Sequence, residues 1–180
     1  MSETYLALLR GINVGGKNKL PMNELRDLFV VAGCYDVQTY IQSGNVIFRA
    51  DSTVVASLPG VVTAHIAERF GYRIPVIVRT AAQIDDLMRH NPFVAEGADV
   101  DTLHVFFLAD LPHPRNVADL DPDRSLPDAF VVRGQEIYLR LPQGMARTKL
   151  TNAYFDARLA TTSTARNWRT VTALLALMDG

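Results

Sequence analysis

The spacing of hydrophobic and polar positions predicts a βαββαβ order over the first half of the chain. An apolar run at residues 4–10 is too short for a helix and ends in a glycine-rich loop, so it predicts a strand. Residues 21–33 carry an apolar stripe at helical spacing and end at a glycine, so they predict a helix. Two strand-like runs then flank a tight turn at Ser43-Gly44, which predicts a hairpin. A helix over roughly residues 54–70, a strand over 73–80 and another helix follow.

A related order recurs in the second half of the chain. Residues 102–109 predict a strand, a Pro- and Asp-rich stretch follows, and residues 129–142 predict a second hairpin before two closing helices. The predicted fold class is therefore α+β, with two packed ferredoxin-like, βαββ-containing halves and C-terminal helices. The expected domains are residues 1–90 and 101–180, joined by a linker at residues 91–100. One compact unit is the alternative.

Composition restricts the class of protein. The chain has 180 residues, of which 48% are hydrophobic and 21% are charged, as in a globular protein with a sizeable core. It shows no basic leader segment and no run of about 18 apolar residues, so we expect no secretion signal and no membrane partner. The single cysteine, Cys34, excludes an intrachain disulfide and favours a cytoplasmic location.

Charge is distributed unevenly along the chain, although the net charge is only −1. Residues 85–128 contain ten acidic residues against three arginines. The remaining segments are therefore basic overall, and such a distribution allows one surface to face anions.

The most informative segment is RGINVGGKNKL, at residues 10–20, which has three glycines, three cations, two asparagines and no acid. Successive glycine N–H groups can form an anion-binding nest. One alternative is a solvated turn that needs glycine for its positive φ. Another is a P-loop, whose spacing Gly11, Gly16 and Lys17 match. Asn18 then stands where a hydroxyl should bind magnesium, and Pro21 separates the loop from its helix.

A second basic segment, TSTARNWRTV at residues 162–171, is predicted to open the last helix, with Ser163 or Thr164 as its cap. Arg166 and Arg169 would then lie in the first turn, where the helix dipole disfavours cations unless an anion is bound. A salt bridge to an acid elsewhere is an equal alternative. The segment around Lys149 is also basic and nearly free of acids.

We therefore expect a phosphate-bearing ligand, a nucleotide or a nucleic acid, where these basic segments converge. The candidate ligand-binding residues are Arg10, Asn13, Gly15, Gly16, Lys17, Asn18, Ser43, Asn45, Lys149, Arg166 and Asn167. The histidines lack metal-ligand spacing and no serine is paired with a base, so the sequence assigns no catalytic residue, metal or cofactor.

Two further functions fit the same sequence. In a protein-interaction or self-association module, the acidic residues 85–128 would meet the basic face of a partner or of another copy of the chain. In a degenerate P-loop kinase, the strand at residues 104–110 would supply the acid that holds the metal's water.

Three segments together resemble a known family. LLRGINVGGKNKLPMNELR, YIQSGNVIF and TKLTNAYFDARLATTSTARNWRTV are similar to motifs of the bacterial family catalogued as domain of unknown function 1697, over essentially the whole chain. The resemblance implies a cytoplasmic α+β protein of about this length, built from two related subdomains. It implies no activity, cofactor or functional residue, so it supports the fold more than the function.

Overall fold

The computed structural model describes residues 3–180 and divides into two units, each with a four-stranded antiparallel sheet. The first unit comprises the chain up to Asp85 together with residues 174–180, and the second comprises residues 86–173. The strands are β1 (Glu3–Leu9), β2 (Tyr35–Tyr40), β3 (Asn45–Ala50), β4 (Val76–Thr80), β5 (Leu103–Leu108), β6 (Ala129–Arg133), β7 (Glu136–Arg140) and β8 (Ser163–Asn167). The helices are α1 (Met22–Val31), α2 (Ser52–Phe70), α3 (Ala81–Arg89), α4 (Pro92–Ala95), α5 (Pro114–Ala118), α6 (Asn152–Leu159) and α7 (Trp168–Met178).

The first unit confirms the predicted βαββαβ order. Its strand order is β2-β3-β1-β4, which is the arrangement of the split βαβ, or ferredoxin-like, fold. On one face of β1, Tyr5, Ala7 and Leu9 pack into a core with buried residues of α1 and α2. Each fully buried large apolar side chain contributes about 1.5–3 kcal/mol to such a core. The central strand β1 is thereby fixed, and so is the loop that leaves its end.

Two local predictions in the first unit are resolved by the structure. The hairpin at Ser43-Gly44 is confirmed, because β2 and β3 pair in antiparallel fashion on either side of this turn. The predicted helix near residues 54–70 runs without interruption over Ser52–Phe70, although Pro59 lies inside it. It ends at Gly71, whose φ of 73° is the left-handed conformation usual just after a helix.

The second unit is more complete than the sequence indicated. Its strand order β6-β7-β5-β8 repeats that of the first unit. Residues Ser163–Asn167, expected to cap and begin the last helix, form strand β8 instead and pair with β5 from Leu108↔Ser163 to His104↔Asn167. The polar residues of β8 lack strand-like alternation, so only their pairing with the buried β5 reveals the strand. The second unit is therefore also βαββαβ.

Residues 91–100, expected to form a linker, lie inside the second unit and carry ordered structure. Asn91 caps the short helix α4 by accepting a hydrogen bond from the backbone N–H of Phe93, at 3.0 Å. Both residues are buried. The polar and glycine-containing sequence suggested a linker, but the capped turn and the buried aromatic ring make this stretch part of the fold.

Candidate functional site

The glycine-rich loop that follows β1 is a small, closed hairpin. The N–H of Lys17 donates to the carbonyl of Val14 at 2.9 Å, and the N–H of Asn13 donates to the carbonyl of Asn18 at 3.1 Å. Gly15 and Gly16 occupy the centre of this turn with φ values of 58° and 73°. Two successive residues with positive φ are typical of a type I′ turn, which strongly favours glycine. Both glycines are exposed, and neither N–H closes the turn.

The two asparagines of the loop stabilise it from within. The Asn13 side-chain amide donates to the carbonyls of Leu20 at 2.9 Å and Gln42 at 3.0 Å, and its Oδ1 accepts from the N–H of Leu20 at 2.8 Å. The Asn18 amide donates to the carbonyl of Gly11 at 2.9 Å. The expectation that both amides donate to a ligand is therefore corrected for Asn13, because its two N–H groups are already used in the fold.

The β2–β3 turn lies beside the glycine-rich loop, as the sequence allowed. The N–H of Leu9 donates to the carbonyl of Gly44 at 2.8 Å, and Gln42 accepts from Asn13. Asn45 is fully buried and donates to the carbonyl of Tyr40 at 3.1 Å and to Ser43 Oγ at 2.9 Å. Asn45 thus holds the turn, and the two predicted residues here have a structural role in the first unit.

A surface cavity of about 550 Å³ opens between this loop and the start of α1. Its lining residues are Asn13, Gly16, Lys19, Leu20, Pro21, Met22, Asn23 and Gln42. Of these, Asn13 and Gly16 were predicted as ligand-binding residues, whereas the other six, which include the polar residues Lys19, Asn23 and Gln42, were not. Lys19 lies within the quoted loop, and Pro21 marks the helix start, so the signal for Lys19 and Asn23 was present. Gln42 reaches the cavity only through the fold of the hairpin.

The first turn of α1 borders this cavity through Met22 and Asn23. Pro21 is the N-cap, and no side chain caps the helix. Leu25 is the first residue whose N–H donates into the helix, to the carbonyl of Pro21 at 3.0 Å. The N–H groups of Met22, Asn23 and Glu24 precede it, and they have no hydrogen-bond acceptor within the helix, as at the start of any helix. The acid in this turn, Glu24, is paired with Arg69 at 3.1 Å.

The predicted basic residues near the end of the chain belong to the second unit. Arg166 lies in β8 instead of the first turn of α7, so the argument from the helix dipole does not apply to it. Its guanidinium is buried and donates to Thr164 Oγ1 at 2.9 Å and to the carbonyl of Ala165 at 2.7 Å. Burial lowers the pKa of Arg166 to about 10.

Two neighbours of Arg166 also have roles in the fold. Asn167 caps α7 through its Oδ1, which accepts from the N–H of Thr170 at 2.8 Å. Arg169 forms an ion pair with Asp101, and the Arg169 guanidinium holds the pKa of that carboxyl below its usual value. The alternative of a salt bridge, left open by the sequence, is the one observed for Arg169.

The remaining predicted cations are Arg10 and Lys17 of the first unit and Lys149 of the second, and they differ in their exposure. Lys17 is exposed beside the Gly15-Gly16 turn, and Arg10 is partly buried with its backbone N–H bonded to the carbonyl of Pro75 at 3.1 Å. Lys149 is exposed in the second unit. The fold thus gathers the predicted residues of the first unit around one loop, and it places Lys149, Arg166 and Asn167 in the other unit.

The P-loop kinase hypothesis is contradicted by the fold. A P-loop joins a strand of a parallel sheet directly to a helix. Here the sheet of the first unit is antiparallel throughout, and Lys17 ends a β-turn whose chain reaches α1 only at Met22. The strand proposed to carry the metal's acid is β5, which belongs to the second unit.

The described part of the chain contains neither a candidate metal site nor a candidate membrane-spanning helix. Within residues 3–180, no group of three or more His, Cys, Asp or Glu side chains has the arrangement of a metal site. Over the same residues, no helix combines the length and the apolar character that crossing a membrane requires.

Comparison with known proteins gives a family and a fold. The family model described as "Protein of unknown function (DUF1697)" matches residues 2–138. Among solved structures, the conserved bacterial protein SP0830 from Streptococcus pneumoniae is similar, with a TM-score of 0.73 and 21% sequence identity over 99% of both chains. Curated proteins give no match. At this identity the structural similarity supports the fold alone.

Proposed function

The chain belongs to the DUF1697 family, and we propose that it binds a phosphate-bearing ligand, a nucleotide, in the cavity between the glycine-rich loop and α1. The observation that carries this proposal is the cavity itself, which combines a cation with the uncapped start of a ten-residue helix. A volume of about 550 Å³ lies in the range of small-molecule sites. A cytoplasmic location, where nucleotides are abundant, is part of the proposal.

Three groups in the first unit favour an anion at this position. The orphan N–H groups of Met22, Asn23 and Glu24 carry the positive end of the α1 dipole. Lys19 adds a formal charge, and the exposed Gly15-Gly16 turn adds backbone donors. Because Glu24 is paired with Arg69, its carboxylate is already compensated. Phosphate, with several acceptor oxygens and a negative charge, satisfies this donor set.

The apolar part of the lining indicates more than a bare phosphate. Leu20, Pro21 and Met22 contribute carbon surface beside the polar groups. A ligand with a phosphate at the helix start and a less polar moiety against this surface uses both parts of the cavity. A nucleoside phosphate has this composition. The chemistry at the phosphate is binding and orientation, since no nucleophile or general base has been placed there.

The test is calorimetric titration of the protein with a nucleoside diphosphate and with inorganic phosphate. Removing one cation about 4 Å from a phosphate costs about 1 kcal/mol at the dielectric of water and more in a partly screened site. We therefore expect Lys19→Gln to weaken binding about fivefold or more. The matched control is Arg26→Gln, which removes a cation from an exposed position of α1 outside the cavity lining. Equal affinity in wild type and Lys19→Gln would remove the proposal.

Self-association is the second candidate, and one strand favours it. Strand β6 lies at the edge of the second sheet, and its Val131 is 40% exposed. An exposed edge strand offers backbone groups that can pair with another strand. We expect a sedimentation mass that rises with concentration for the wild type and stays monomeric for Val131→Lys. A monomeric wild type at every concentration would exclude this candidate.

The charge-based form of that candidate is weakened by the acidic segment itself. Three of its acids are paired with arginines inside the same unit. These pairs are Asp86 with Arg133 at 2.7 Å, Glu96 with Arg140 at 3.9 Å, and Asp101 with Arg169. Less negative charge is therefore available for a basic partner than the sequence of residues 85–128 suggested.

A further inference from the structure

Two exposed arginines of the second unit lie over one tyrosine ring, and one of them is bonded to the backbone of an exposed lysine. The guanidinium carbon of Arg124 lies 4.0 Å from the centre of the Tyr154 ring, and that of Arg158 lies 5.8 Å from the same centre. Arg124 Nε donates to the backbone carbonyl of Lys149 at 3.0 Å. Three segments, the loop after α5, the loop before α6 and α6 itself, therefore bring together the side chains of Arg124 and Arg158 and the backbone of Lys149.

These cations differ from three other arginines of the unit in their partners. Arg133, Arg140 and Arg169 each form an ion pair with an acid of the same unit. Across residues 3–180, by contrast, no carboxylate lies within ion-pair distance of Arg124, Lys149 or Arg158.

Two acids of this segment, Asp121 and Asp128, accept hydrogen bonds from groups other than these cations. Asp128 is buried and accepts from Ser125 Oγ at 2.8 Å, and Asp121 accepts from the N–H of Asp123 at 3.0 Å. The three cations themselves are exposed to solvent. Clusters of like charge repel one another, so an arrangement of this kind is stabilised by an anion.

The cluster rests on an ordered platform. Tyr154 is buried, and its hydroxyl oxygen accepts from the N–H of Asp121 at 3.1 Å. Thr151 caps α6 by accepting from the N–H of Tyr154 at 3.2 Å. The N–H of Lys149 donates to Ser125 Oγ at 2.9 Å, which fixes the chain that carries this cation.

Arg124 is therefore preorganised for a bidentate contact. Its Nε is bonded and its plane is held near the tyrosine ring, so its two terminal nitrogens stay available at an exposed position. A guanidinium held in this way gives up less side-chain entropy when it binds, and its fork geometry matches phosphate.

We infer that Arg124, Lys149 and Arg158 form a phosphate-binding site in the second unit. This site is separate from the cavity of the first unit and does not depend on it. Its ligand is a phosphate group, carried either by a small molecule or by the backbone of a single-stranded nucleic acid. A site with three cations suits a group with two negative charges better than a carboxylate with one.

The experiment uses the full chain in a Lys19→Gln background, in which binding at the first-unit cavity is already weakened. Pyrophosphate is titrated by calorimetry, and a fluorescein-labelled twelve-nucleotide oligothymidylate by anisotropy, both at low salt. We expect Lys149→Gln and Arg158→Gln each to weaken binding about fivefold to tenfold, and the double variant to weaken it further than either.

The controls separate charge at the cluster from general effects. Arg133→Gln removes a cation of the same unit that is already paired with Asp86, so it leaves the affinity unchanged. Lys149→Arg keeps the charge and retains binding. Circular dichroism and melting curves verify that each variant folds, and the exposed Arg158 side chain provides a substitution with little structural role if Lys149→Gln is unstable.

The two probes identify the source of the phosphate. Saturable pyrophosphate binding that responds to the variants indicates a small ligand. Oligonucleotide binding with a steep salt dependence and the same response indicates a nucleic acid backbone. The inference is overturned if neither probe binds, or if Arg133→Gln reduces affinity as much as Arg158→Gln does.

Discussion

Gly44, in the β2–β3 turn, should be the most sensitive glycine of the first unit. Its φ is 82°, and a Cβ built there would lie 2.8 Å from Leu9 Cβ and 3.0 Å from Ile12 Cδ1. Leu9 is fully buried in the central strand, and its N–H donates to the Gly44 carbonyl at 2.8 Å. A Cβ is attached to the backbone and cannot rotate away from this contact. Gly44→Ala must therefore move the turn relative to β1.

The loss of stability expected for Gly44→Ala has two parts, which a control variant can separate. A left-handed conformation costs a non-glycine residue about 1–2 kcal/mol, and overpacking a buried site adds about 1–3 kcal/mol. Gly44→Ala should then destabilise the first unit by about 2–5 kcal/mol. Gly71 is the matched control, because its φ is 73° and a Cβ added there would meet nothing within 4 Å. Gly71→Ala should cost only the conformational part, about 1–2 kcal/mol.

Urea unfolding followed by circular dichroism measures both variants, and the comparison holds at a common m-value. Gly44 and Gly71 lie in the same unit, so they report on the same transition. Equal destabilisation by the two alanines would refute the close approach of the hairpin turn to β1. That result would also remove the support for Gln42 as part of the cavity wall.

Three further predictions follow from other contacts. Asn13→Asp removes two amide hydrogen bonds and should destabilise the first unit by about 1–3 kcal/mol in urea unfolding, whereas Asn18→Asp removes one and should cost about half as much. Equal destabilisation by the two variants would argue against the hydrogen bonds of Asn13. The pKa of Asp86, measured by NMR, should lie below its usual value and rise in Arg133→Gln, and an unchanged pKa would contradict the pairing. Because the folded pKa is lowered, the pair's contribution to stability is present above the unfolded pKa and is lost as the pH falls through the folded pKa. Burial raises the pKa of Cys34 to about 11, so a disulfide reagent at pH 8 should modify it only as fast as the first unit opens, and rapid modification of the folded chain would contradict its burial.

The ferredoxin-like units were largely predictable because their strands and helices carry clear periodicity. The strands β1, β3, β5 and β7 are apolar and short, and the glycine turns between elements mark their ends. Strand β8 was missed because Ser163, Thr164 and Arg166 are polar in sequence yet buried in the structure. Their burial depends on pairing with β5, a contact between residues far apart along the chain, which local pattern does not reveal.

The sequence predicted the position of the candidate site, but not the hydrogen bonds of its residues. The loop at residues 10–20 was recognised from its glycines and cations, and Ser43 and Asn45 of the neighbouring hairpin turn were among the candidate residues. The sequence could not indicate that the donors of Asn13 are used inside the fold, because its partners are backbone carbonyls of Leu20 and Gln42. The same limit applies to Arg124, which sequence reasoning left within an acidic stretch and which the fold brings beside Tyr154.

The most direct test of ligand binding in the first unit is an NMR titration of ¹⁵N-labelled protein with a nucleoside diphosphate. The proposal predicts saturable shifts of the backbone amides of Gly15, Gly16, Asn23 and Glu24, all with one dissociation constant, and much smaller shifts in Lys19→Gln. Amides that stay unmoved at millimolar ligand, or that shift only in the second unit, would contradict a nucleotide site between the glycine-rich loop and α1.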